Sequence, residues 1–137
     1  MLNVGVAFDE RRSARLWRLT SRVFNTFLEK QAELIVEVSK RDWKPEQRQE
    51  IVDTIDLELV PADMILRDHF DGAPHFVSID TEGTNFDILR SINFDRYRPT
   101  IICVEGGRPL CDYEQLLGPP GYERICQTPD NLLFRLK

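Results

Sequence analysis

Two short apolar runs in the second half of the chain each end in an acid. Phe76-Val77-Ser78-Ile79 leads into Asp80-Thr81-Glu82-Gly83, and Ile101-Ile102-Cys103-Val104 leads into Glu105. Between them, residues 84–92 carry Phe86, Ile88 and Leu89 at helical spacing. The pattern predicts strand, helix, strand. Residues 76–80 and 100–105 are expected as parallel neighbours, the first of them buried on both faces. Ligands of open α/β sheets sit outside the carboxyl ends of the strands, so Asp80 and Glu105 stand where such a sheet does its chemistry.

The flanking patterns extend the picture. Residues 2–8 form an apolar run and residues 14–20 mix Ala and Leu with Arg and Trp, which suggests two strands that could pair as a hairpin. Thr26 and Glu29 have the spacing of a capping box before a helix whose apolar face holds Leu28, Ala32, Ile35 and Val38. Pro45 suits a first helical position. Ile55, Leu57 and Leu59 alternate with Asp56 and Glu58 as a short strand that Pro61 ends, and residues 62–70 read as a short helix. Residues 111–117 are helical up to Gly118-Pro119-Pro120-Gly121. Residues 122–127 and 131–136 are strands joined by Thr128-Pro129-Asp130, a connection tight enough to require antiparallel pairing. The expected class is α/β, one domain over residues 1–137, with a parallel β/α core that finishes in an antiparallel hairpin.

Composition narrows the function. With 18 Lys and Arg against 23 Asp and Glu the net charge is −5, and no basic tract offers a footprint for nucleic acid. Arg11, Arg12, Arg15 and Arg18 read as a solvated surface. No apolar run reaches the roughly 20 residues of a membrane span. Cys103, Cys111 and Cys126 are too widely spaced for a zinc pattern or a disulfide framework, so reduced thiols and a cytoplasmic address are expected. Trp17, Trp43, Tyr97 and Tyr122 read as packing aromatics. Arg96 and Arg98 are expected to pair with surface acids such as Asp95. His69 and His75 straddle Asp71-Gly72, a polar loop more readily than a metal pair.

Asp80, Glu82 and Glu105 are the candidate site residues. Asp80 or Glu82 could instead cap the helix that begins near Thr84, and Glu105 could be a turn residue before Gly106-Gly107. Gly83 is expected to supply a backbone shape closed to residues with a Cβ.

From Ser78 to Glu105 the sequence SIDTEGTNFDILRSINFDRYRPTIICVE resembles the FkbM family of S-adenosylmethionine-dependent methyltransferases. LELVPADMIL before it and GYERICQTPDNLLFRLK after it agree less closely, and LNVGVAFDERRSARLWRLTS is similar to the family segment that precedes a variable middle. The resemblance implies a Rossmann-like sheet of seven strands in the order third, second, first, fourth, fifth, seventh, sixth. Residues 2–8 then match the third strand, 76–80 the fourth, 100–105 the fifth, and 122–127 and 131–136 the last two. It implies S-adenosylmethionine as methyl donor and a hydroxyl on a sugar or polyketide-like small molecule as acceptor. Asp80, Glu82 and Glu105 would be catalytic, as proton acceptor or as holders of a divalent ion that polarises the oxygen; the pattern assigns no metal site of its own.

The family's glycine-rich loop of the form D-x-G-A-x-x-G and its ribose-binding acid have no counterpart in this sequence. The fold is therefore expected to be partial, from the third strand onward, and cofactor binding weak or absent. A non-catalytic remnant or partner-binding fragment is the alternative function. Without the family's first strand, residues 76–80 would have a bare edge. That edge is expected to be filled by residues 2–8, by a second copy, or by a complementing N-terminal fragment.

Overall fold

The structure, a computed structural model, describes residues 4–137. It contains seven strands: β1 (Gly5–Ala7), β2 (Ser13–Leu19), β3 (Ile51–Pro61), β4 (Phe76–Ile79), β5 (Ile101–Glu105), β6 (Tyr122–Gln127) and β7 (Asn131–Leu136). Four α-helices accompany them: α1 (Glu29–Asp42), α2 (Ala62–His69), α3 (Asn85–Ser91) and α4 (Leu110–Leu117). Positions 2 and 3 of the first expected strand lie outside the described residues. The described residues divide into two compact units, residues 4–5 with 11–59, and residues 6–10 with 60–137.

One sheet has three strands in the order β1-β3-β2. The expected hairpin between the first two strands is therefore corrected: β3 lies between them. The reason is visible in the antiparallel register of β2 with β3, which sets Arg15 opposite Asp56 and Arg18 opposite Asp53. Opposite charges directly across a ladder favour a pair by roughly 0.2–1 kcal/mol. Gly5 is required on the other side, because a Cβ there would lie 2.5 Å from Leu59 Cδ2 and 2.9 Å from Phe27. The capping box also fails. Thr26 is buried and exchanges backbone hydrogen bonds with Trp17, and its Oγ1 accepts from Leu28 N at 3.1 Å. With Thr26 held in that bridge, α1 starts later, with Leu28 at the N-cap. Pro45 opens a 3-10 turn over Pro45–Gln47, as its fixed φ allows.

The second unit carries a four-stranded sheet in the order β4-β5-β7-β6. β4 and β5 run parallel, and β7 is antiparallel to both β5 and β6. This is the parallel core with a terminal hairpin that the sequence pattern predicts, and its strand order is that of the fourth, fifth, seventh and sixth strands of the family sheet. Alternation puts Ile79, Ile102, Val104, Leu132 and Phe134 on one face, where they meet Leu66 of α2, Ile88 and Leu89 of α3, and Tyr113 and Leu117 of α4. Burying each such side chain is worth about 1.5–3 kcal/mol. Tyr122, also in this core, donates its hydroxyl to Pro99 O at 2.8 Å, and burial pushes that phenol up to about 12.

Two expectations about β4 are corrected. It is not buried on both faces: Ile79 is covered, but Phe76 is 56% exposed and Ser78 is exposed. The helices that follow β4 and β5 contribute to a core on one side of the sheet, and the side chains at alternate positions point away from it. Nor do the described residues of the 2–8 run slide in beside it. β1 belongs to the other sheet, and β4 is the edge strand of its own. Val6 and Phe8 instead pack against the core of the second unit through their side chains.

Candidate functional site

β4 and β5 are in parallel register from Phe76 opposite Ile101 to Ile79 opposite Val104. The next residue of each strand path is an acid, so the register brings Asp80 and Glu105 side by side. Glu82 joins them through an unusual turn. Its φ is 48°, and that of Gly83 is 109°. The first lies in the left-handed region that costs a non-glycine residue about 1–2 kcal/mol, and the second is open essentially to glycine alone. Gly83 thus has the role its sequence position predicts.

One oxygen from each of Asp80, Glu82 and Glu105 lies within 4.8 Å of the others. Among the described residues this is the group of three such side chains close enough to hold a cation; His69 and His75 do not join one. Hard divalent cations take carboxylate oxygens, so these three residues could hold such an ion.

Mutual proximity has an electrostatic consequence. Partial burial, then the charges of Glu105 and Asp80, raise the Glu82 carboxyl above its ordinary value. Burial likewise raises Glu105; a hydrogen bond from Asn85 works against it, while Asp80, by charge and by hydrogen bonding, and Asp130 add to it. Carboxylates held this way retain a proton more readily than free ones, the property of a group that takes a proton from a substrate.

Asn85 is the residue that sequence reasoning missed. It is 4% exposed. Its Oδ1 accepts from Thr81 N at 2.6 Å and from Thr81 Oγ1 at 2.9 Å, and its Nδ2 donates to Glu105 Oε2 at 2.7 Å. The side chain thereby ties the turn after β4 to the end of β5. A polar residue at the start of an otherwise apolar helical pattern was the available signal. The capping readings of Asp80 and Glu82 are not what the helix uses: the N-cap of α3 is Thr84, with no side-chain cap bond.

The other sequence candidates resolve simply. Arg15 and Arg18 form exposed ion pairs with Asp56 and Asp53. Arg98 donates to Pro120 O at 2.8 Å, and Arg96 lies 5.2 Å over the Tyr97 ring, so neither pairs with Asp95 as expected. The three cysteines are free, Cys103 half-buried and the other two exposed. Among the described residues no helix is long and apolar enough to cross a membrane.

A parallel strand pair with acids at its carboxyl ends, finishing in a reversed last strand, is a methyltransferase-type α/β arrangement. The family model for the methyltransferase FkbM domain matches residues 4–135, and the chain belongs to that family. No curated protein and no solved structure matches it. Members of the family generally use S-adenosylmethionine. The groups gathered at this site are carboxylates, and the N–H groups of the neighbouring Gly106 and Gly107 are already donated to Asp130 O and to the Tyr113 hydroxyl, so these residues offer no free backbone donor to the carboxylate of S-adenosylmethionine. These residues do not by themselves form a cradle for that end of the donor.

Proposed function

We propose that the chain serves S-adenosylmethionine-dependent O-methylation, with its acids acting on the hydroxyl of a small-molecule acceptor of sugar or polyketide-like chemistry. The observation that carries this reading is the convergence of Asp80, Glu82 and Glu105 at the ends of adjacent parallel strands. An acceptor hydroxyl among them gives its proton to a carboxylate oxygen as its own oxygen becomes the nucleophile, a contribution of about 10²–10⁴-fold. Asp80, at the end of β4, is the base in this reading. Glu82 and Glu105, both raised, orient the hydroxyl and share the proton. Asn85 holds Glu105 in place for this.

The test is transfer of a labelled methyl group from millimolar S-adenosylmethionine to a panel of hydroxylated acceptors. An O-methyl product is expected. Products methylated only at nitrogen, sulfur or carbon would overturn the reading. Because the donor cradle is not among these residues, S-adenosylhomocysteine should bind this chain no more tightly than about 1 mM, worth about −4 kcal/mol. Isothermal titration measures it, and low-micromolar saturation would contradict the assignment of this site to the acceptor side alone.

A second reading, a non-catalytic chain that docks a partner or another copy, is supported by one feature. The edge strand β4 borders an apolar cavity of about 230 Å³ lined by Val6, Ile65, Phe70, Phe76 and Val77 among others. A bare strand edge invites a further strand. A concentration-dependent mass in solution, abolished by Ser78→Pro, which removes an N–H from the free edge, would favour it.

A further inference from the structure

Residues 11–59 carry a cleft of about 540 Å³, bounded by Thr20, Ser21, Phe24, Trp43 and the segment 46–49. That volume lies within the range of small-molecule sites. We propose that this cleft binds a free aromatic amino acid, its ring against Trp43 and Phe24, its carboxylate on Arg48 and its ammonium on Glu46. None of the residues assigned to methyl transfer takes part.

The aromatic corner comes first. Trp43 closes α1 as its C-cap, and Phe24 ends the 3-10 turn Arg22–Phe24. Their ring centroids lie 5.3 Å apart, with the planes tilted by 47°. The two rings pack on each other, yet both stay half-buried and both line the cleft. Such a corner leaves aromatic surface for a third ring, which would settle in offset or tilted contact at about 4.5–7 Å. The polar wall is fixed before any ligand arrives. Gln49 is 5% exposed; its Oε1 accepts from Ser21 N at 2.8 Å, its Nε2 donates to Gln47 O at 2.7 Å, and its N–H donates to Ser39 Oγ at 2.9 Å. Thr20 Oγ1 accepts from Glu50 N at 3.1 Å. A wall held in this way loses little freedom when it takes a ligand.

The charges come second. Arg15, Arg18, Arg67, Arg90 and Arg135 each hold a carboxylate at 3.1 Å or less. Among the described residues Arg48 has no such partner, and Glu46 has no cation. Nor do they pair with each other. Glu46 lies inside the 3-10 turn Pro45–Gln47, and Arg48 caps it. Three residues complete a turn of that helix, so positions two apart point to different sides of its axis. Both nevertheless border the cleft. An unmatched cation and an unmatched anion thus stand beside an aromatic corner. An aromatic amino acid carries the complement of all three: a ring, a carboxylate that meets a guanidinium bidentately, and an ammonium with three donors for a carboxylate. A ligand with a single charge leaves one of the two groups unmatched, and an aliphatic amino acid leaves the rings bare.

Amide-resolved NMR titration of the protein tests the proposal with L-phenylalanine, phenethylamine, 3-phenylpropionate and L-alanine. Phenylalanine should shift the amides of Ser21, Trp43, Arg48 and Gln49. The others should bind at least about tenfold more weakly, the scale of one charge-assisted contact or one ring contact. Arg48→Gln and Glu46→Gln read the charges separately; both positions are exposed, and dispersed spectra show the fold intact. Each should weaken phenylalanine by about tenfold. Arg48→Gln should also weaken phenylpropionate and spare phenethylamine, and Glu46→Gln should do the reverse. Phenylalanine that leaves these amides unshifted at about 10 mM overturns the proposal. So does binding of alanine or of either singly charged ligand as tight as that of phenylalanine, and so does phenylalanine binding that ignores both substitutions.

Discussion

Acidic residues serve two opposite ends in this chain. On β3, Asp53 and Asp56 stand directly across the ladder from Arg18 and Arg15 and bond to them at 2.7 and 3.1 Å, all four exposed. At the ends of β4 and β5, Asp80, Glu82 and Glu105 are drawn together, and what raises Glu82 and Glu105 is burial first and then neighbouring acids, Glu105 and Asp80 for Glu82 and Asp80 and Asp130 for Glu105. The first arrangement offsets charge and helps to choose a strand partner. The second concentrates charge at a cost, in a turn that also holds a glutamate in the left-handed region. Strain and gathered like charge cluster at functional sites, which is why the acids of the second unit and not those of the first carry the proposed function.

That contrast can be broken most sharply at Asp80. Asp80→Asn should lower methyl transfer by about 10²–10⁴-fold, as the loss of a general base does, while the melting temperature holds or rises. Parallel losses in rate and melting temperature would make Asp80 a structural residue like Asp53.

Asn85→Ala comes next. It strips the acceptor from Thr81 N and the donor from Glu105 together. A buried group left unsatisfied costs about 1–3 kcal/mol, so chemical denaturation should show a loss of that order or more. An unchanged midpoint would mean that Glu105 is not held by Asn85.

The raised acids make a prediction of opposite sign to the usual carboxylate. Folded-state values above the unfolded ones mean that the native protein binds more protons in the window between them. Stability should therefore be greatest below the ordinary glutamate value of 4.5 as far as these two groups are concerned, and should fall as pH rises through their raised values. Both are only half-buried, so water still screens them, which keeps the effect small. Glu82→Gln and Glu105→Gln should each flatten the dependence, read as melting temperature against pH. A stability that climbs through that window and is flattened by Glu82→Gln or Glu105→Gln would refute the raised values.

The smallest effect belongs to the paired acids. Arg18→Ala should cost about 0.2–1 kcal/mol at low ionic strength and less in salt, as exposed pairs do. A larger cost that ignores salt would show that the pair with Asp53 is more than a surface contact.

Much of the second unit was legible in the residues. Apolar runs ending in acids, with a short helical stretch between them, leave little freedom: two parallel strands with a connection that short become neighbours, and Asp80 and Glu105 then arrive at the same end. Thr128-Pro129-Asp130 likewise dictates the final hairpin, because so short a link cannot cross a sheet. These are local constraints, written in spacing. What only the tertiary structure decided lies in contacts between distant positions. The pairing of β2 with β3 rather than β1 depends on charges some 40 residues apart meeting in register. The capping box lost to a backbone bridge between Thr26 and Trp17. The exposed side of β4 follows from helices packing on one face alone, which alternation within a four-residue strand does not reveal. Asn85 reaches Glu105 across 20 residues; a polar residue opening an apolar helical pattern flags it, but no local pattern names its partner. Periodicity and turn chemistry act over a few residues, so the sequence itself determines the elements and the placement of acids at their ends; which elements pair, and which side chains hold the acids together, depends on packing that no local pattern records.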